Sequence, residues 1–76
     1  MQTTEVKLPS IKVIRKFVNV VNSLDADVDL GSGATIVDAK SILGVFALAN
    51  ASTKNIKLTI HSEDKNTLRT LEPFMA

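Results

Sequence analysis

Apolar and polar positions alternate from Thr4 to Leu8, with Thr4, Val6 and Leu8 on one side and Glu5 and Lys7 on the other. That period of two predicts a strand with one buried face, broken by Pro9 and Ser10. Beyond the break, Ile11, Ile14, Phe17, Val18 and Val21 recur at helical spacing, while Lys12, Arg15, Lys16, Asn19, Asn22 and Ser23 fall opposite. An amphipathic helix is predicted there, with the Ser10 hydroxyl placed to accept from an unpaired amide of its first turn. Val28 and Leu30 alternate with Asp27 and Asp29, which predicts a second strand with its aspartates toward water. Gly31-Ser32-Gly33 reads as a hairpin connection, because glycine reaches positive φ at little cost. The returning strand would run over 34–38, where alternation does not decide whether Ile36 or Val37 faces the core.

Ser41 stands where a cap would open a second helix, from Ile42 to about Asn50. Ile56, Leu58 and Ile60 then alternate with Lys57, Thr59 and His61, so a strand is predicted whose histidine points away from the core. Ser62, Glu63 and Asp64 read as a cap and two acids at a helix start, with Leu68, Leu71 and Met75 as the apolar stripe. Pro73 should end that helix near Glu72. The order is strand, helix, strand, strand, helix, strand, helix. One sheet carrying its helices on a single face buries every stripe, which is the α+β layered solution in one domain spanning 1–76.

The second helix departs from the amphipathic pattern. Ile42, Leu43, Val45, Phe46, Ala47, Leu48 and Ala49 cover nearly its whole circumference, and no charge lies between Ser41 and Asn50. A single helix layer on one sheet cannot bury such a surface all round. If Val45 and Leu48 face the sheet, Ile42 and Phe46 share another strip with Leu43 beside them, and an exposed apolar patch commonly marks a binding surface. The competing reading is that loops or a second copy cover these residues for stability.

Composition narrows the function classes. Of 76 residues, 45% are apolar and 22% charged, a balance that belongs to a folded domain. The absence of cysteine removes disulfides, thiolate metal sites and thiol catalysis. A net charge of +1 and three phenylalanines without Tyr or Trp supply neither counterion release nor stacking for nucleic acid, although Lys12, Arg15 and Lys16 share one helix face. The first five residues lack the basic start and apolar core of a signal peptide, and the longest apolar stretch falls far short of the ~20 residues of a membrane span. A cytoplasmic protein without membrane or nucleic-acid partners is expected. No phosphate-binding glycine loop, metal-ligand cluster or nucleophile–base pair is legible, so neither an enzyme, nor a cofactor, nor a metal is expected.

The segment Lys40-Ser41-Ile42-Leu43-Gly44-Val45 resembles the regulatory-serine motif of the histidine-containing phosphocarrier protein (HPr) family of the bacterial sugar phosphotransferase system. Element lengths agree from about Glu5 to Glu72, with Asp27-Val28-Asp29-Leu30 in the place of the family's second strand. The resemblance implies an open-faced βαββαβα sandwich, a four-stranded antiparallel sheet with three helices on one face. In that family a phosphoryl group passes from phosphoenolpyruvate through enzyme I to a histidine in a Gly-x-His-Ala-Arg-Pro motif. Carried over without a gap, the histidine falls on Ser10, the arginine on Lys12, and the glycine and proline on Leu8 and Val13.

A serine in the histidine's place divides the function into alternatives. A phosphoramidate on imidazole passes its group onward, whereas a serine phosphate is a stable ester, and no base adjoins Ser10 in sequence to activate it. The resemblance therefore implies a regulatory or adaptor protein that docks on enzyme I, a serine kinase or a transcriptional regulator through Lys12, Ile42, Leu43 and Phe46. Lysine at position 12 cannot reproduce the two-pronged contact of an arginine, which weakens that part of the inheritance. Ser41 is open to two readings, a kinase-modified switch or a simple helix cap. The alternatives are a working phosphocarrier with an unorthodox acceptor, or a small protein-binding module unrelated to sugar transport.

Overall fold

The computed structural model describes residues 1–52 and 55–76. Its elements are β1 (Gln2–Val6), α1 (Ile11–Asn22), β2 (Val28–Ser32), β3 (Thr35–Asp38), α2 (Ile42–Ala51), β4 (Ile56–Ile60) and α3 (Lys65–Thr70), followed by a 3-10 turn over Glu72–Phe74. The strands form one antiparallel sheet in the order β1-β4-β2-β3. The fold is the α+β layered arrangement that the pattern predicted and the open-faced sandwich that the resemblance implied.

Register explains which residues meet. Leu30 of β2 lies opposite Leu58 of β4 and Val37 of β3, so all three point to the helices. Gly31 lies opposite Lys57 and Ile36, which places those residues on the bare face. The ambiguity at the returning strand is thereby resolved: Val37 packs against the core and Ile36 is 71% exposed. Val6, Val28, Leu30, Leu58 and Ile60 from the sheet meet Ile14, Phe17, Val18 and Val21 of α1, Val45 and Leu48 of α2, and Leu71. Phe17 is fully buried and takes the Phe74 ring edge-on at 5.3 Å. Among the described residues no polar or charged residue is buried, so packing carries the fold.

Several boundaries differ from the sequence expectation, each for a local reason. The hairpin connection is Gly33-Ala34, with Gly31 and Ser32 inside β2, and Gly33 takes φ +60 at the first turn position. The strand β1 stops at Val6, yet Leu8 remains buried beyond it. Ile11, expected on the apolar stripe of α1, is 48% exposed at the first turn of the helix. The N-cap of α3 is Asp64, whose carboxylate accepts from Asn66 N at 2.9 Å, whereas Ser62 Oγ accepts from Asp64 N in the turn before it. Glu63 thus lies outside the helix, which closes at Thr70 before the Pro73 turn.

Met75 leaves the expected apolar stripe for another role. It forms an antiparallel bridge with Val6, while Lys7 N donates to Phe74 O and Ala76 N to Glu5 O, each at 2.9 Å. Residues 74–76 therefore satisfy outer backbone groups at the Glu5–Lys7 end of β1, which would otherwise face water.

Candidate functional site

Two serine-capped helix starts define the side of the molecule opposite the bare sheet face. Ser10 has extended backbone angles, and its Oγ accepts from Val13 N at 3.2 Å while its carbonyl accepts from Ile14 N at 3.0 Å. The Oγ contact satisfies an amide that the first turn of α1 cannot pair internally, and the carbonyl accepts the first bond of the helix. Among the described residues the Ser10 side chain bonds to Val13 N, and no imidazole or carboxylate adjoins its hydroxyl there. A proton-accepting partner for nucleophilic chemistry is thus not part of this arrangement. Lys12, Arg15 and Lys16 are exposed along α1, which contains no acid.

Ser41 repeats the capping geometry at α2, with Oγ accepting from Gly44 N at 3.2 Å and its carbonyl from Val45 N at 2.9 Å. Gly44 allows α2 to approach β3 closely. A Cβ built there would meet Ser41 Oγ and Val37 Cβ at 3.4 Å. With Val45 and Leu48 buried and Ala49 packed against the core, the large apolar side chains of α2 that reach solvent are Ile42 and Phe46, each exposed over about two fifths of its surface, and Leu43, at 80% exposure. Free backbone amides, a positive helix end and an exposed hydroxyl coincide at Ser41, and an apolar strip begins at the next residue.

Sequence reasoning missed the connection that holds this corner together. Asn22 Nδ2 donates to Val18 O at 2.9 Å and to Lys40 O at 3.1 Å, and Lys40 Nζ donates to Leu24 O at 3.2 Å. The end of α1 and the residue before Ser41 are thereby tied to each other. Between the helices lies a groove of about 400 Å³ lined by Arg15, Val18, Asn19, Asn22, Lys40 and Ile42. Nothing local in the sequence marks Asn22 as a tie, because its partner lies 18 residues away.

His61 belongs to the other side of the sheet. Its Nε2 lies 2.8 Å from Asp29 Oδ2, and its backbone amide donates to Asp27 O. The sheet therefore separates this imidazole from Ser10 and Ser41. Among the described residues no group of three or more His, Cys, Asp or Glu side chains could hold a metal ion, and no helix is long and apolar enough to cross a membrane.

Comparison with known proteins agrees with this geometry. No curated protein sequence matches the chain significantly. The crystal structure of HPr-C-His from Thermoanaerobacter tengcongensis superposes with a TM-score of 0.73 at 20% identity, covering 92% of this chain and 83% of that one. The phosphocarrier protein HPr from Bacillus anthracis str. Ames superposes with a TM-score of 0.76 at 25% identity, covering 99% of this chain and 94% of that one. The family described as the PTS HPr component phosphorylation site matches residues 11–76, from the residue after Ser10 onward. On that match, together with the shared sheet and helix layer, the chain belongs to the HPr family of the phosphotransferase system.

Proposed function

We propose that this chain is a regulatory or adaptor member of the HPr family that carries no phosphohistidine, docks on its partners through α2, and receives phosphate on Ser41. The observation that carries the reading is the exposed strip of Ile42, Leu43 and Phe46 beginning beside a helix-capping serine. Apolar side chains left in water beside a polar rim are suited to burial against a partner. Lys12, with Arg15 and Lys16 on the same helix, would favour an acidic partner surface.

Phosphate on Ser41 would add roughly −2 of charge at a helix N-terminus, where amides and dipole favour it, and would set that charge beside the strip. Docking would change with modification for that reason. The Ser10 hydroxyl serves as a cap, and the ester it would form is too stable to relay a phosphoryl group. The protein acts in this reading as a cytoplasmic binding partner of enzyme I, a serine kinase or a transcriptional regulator, not as an enzyme.

Intact-protein mass spectrometry tests it after two incubations, one with enzyme I and phosphoenolpyruvate and one with a serine kinase and ATP. One phosphate from the kinase alone, lost in Ser41→Ala, is the expected result. Phosphate arriving from enzyme I would overturn the reading and identify a working carrier. Absence of phosphate in both reactions would reduce Ser41 to a cap.

A further inference from the structure

The bare face of the sheet carries a hollow of about 510 Å³, within the roughly 300–1,000 Å³ range of small-molecule sites. Its walls include Gly31 and Ile36, Lys57 and Thr59, and the Asp29–His61 pair. Gly31 leaves part of the floor without a side chain, and neither a positive φ nor a steric limit on a Cβ requires glycine there. Its φ is not positive, and a Cβ built there would meet Thr35 O at 3.6 Å and Ile36 Cγ1 at 3.7 Å, ordinary contact distances. Glycine inside a strand weakens it, and often marks a bulge, a bend, or a place where a ligand or another backbone approaches closely.

The chemistry of the walls selects the occupant. Ile36, 71% exposed, offers an apolar surface on one side of Gly31. Lys57 lies across Gly31 on the other side, and among the described residues its ammonium has no ion pair or hydrogen bond, including none to its cross-strand neighbour Glu5. Thr59 adds a hydroxyl beside it. Asp29 is the acid on the wall, and His61 engages it at 2.8 Å. An uncommitted cation faces an apolar side chain across a floor without side chains.

We propose that this hollow binds a small amphipathic carboxylate, its apolar body over Gly31 against Ile36 and its carboxylate on Lys57. The site lies on the opposite side of the sheet from α2 and is independent of docking and of Ser41.

Phenylacetate, with phenylacetamide as its neutral counterpart, is the probe pair for a 1H–15N NMR titration of the full chain. Saturable shifts are expected at the amides of Gly31, Ile36, Lys57 and Thr59 with phenylacetate. Gly31→Val fills the hollow with a good strand former and should weaken binding at least about tenfold, with the unfolding transition unchanged or raised. Lys57→Gln keeps the shape and should weaken phenylacetate about tenfold while leaving phenylacetamide unaffected, since it removes only the charge-assisted contact. Shifts that stay linear up to ~20 mM phenylacetate would overturn the proposal, that limit lying far above the affinities of small-molecule sites. Equal affinity for both probes, or undiminished binding in Gly31→Val, would overturn it as well.

Discussion

Leu43 and Leu48 stand five residues apart on the same helix, with 80% and 4% of their surfaces exposed. Truncating each to alanine separates the docking role of α2 from its structural role. Fully burying a leucine side chain is worth about 1.5–3 kcal/mol. At 80% exposure, folding uses only a small part of this at Leu43, so Leu43→Ala should change stability by less than about 0.5 kcal/mol. The unused part, about 1–2 kcal/mol, is available to a partner that covers the residue, and its loss corresponds to about 5- to 30-fold in Kd. Leu48→Ala should instead cost about 2–5 kcal/mol, a large share of the total stability of so small a domain. Urea unfolding followed by circular dichroism reads the first quantity, and calorimetric titration against enzyme I or the serine kinase reads the second. If Leu43→Ala unfolds as readily as Leu48→Ala, the strip is structural. If it folds normally and binds every partner as tightly as the parent, α2 is not the docking surface.

Other substitutions probe the same framework. Ser41→Ala should lose about 1 kcal/mol by removing the Gly44 N acceptor, whereas Ser41→Asp keeps an acceptor and should stay within about 0.5 kcal/mol of the parent in urea unfolding. Equal losses in both would show that Oγ does not act as the cap. Gly33→Ala should cost about 1–2 kcal/mol, because φ +60 brings the new Cβ close to the following carbonyl; an unchanged melting temperature would contradict that turn. Phe74→Ala should cost about 2–4 kcal/mol through lost burial and the edge-on contact with Phe17, read as a lower urea midpoint. It should also speed hydrogen exchange at Lys7, whose amide donates to Phe74 O.

Short-range periodicity carried most of the fold. The helix α1 and the strand β4 were legible because each has one buried face, and α1 has a capping serine at its start as well. The incomplete burial of α2 was legible too, from apolar residues too numerous for one contact face. What periodicity could not supply were relations between distant segments. Val37 turns inward and Ile36 outward because β2 fixes the register of β3, not because of either residue's own character. Ser62 and Asp64 are both good caps, and geometry chose the aspartate. Met75 looked like helix stripe because it is apolar at suitable spacing, yet it pairs with Val6 at the other end of the chain. At the candidate site Ser10, Ser41 and the strip were visible as residues. The Asn22–Lys40 tie and the hollow over Gly31 were not, since both depend on elements adjacent only after folding.

The pairing of Met75 and Ala76 with the end of β1 also bears on how many neighbours the sheet can recruit. With the Glu5–Lys7 end of β1 covered, β3 is, among the described residues, the edge strand with no strand on its outer side. An object with one adhesive side can close into a pair and then stops, whereas one with two such sides can add units without end. The segment around Met75 thus acts as a valence limiter at one end of β1, and breaking its bridge to Val6 would expose a second side on which a strand could add.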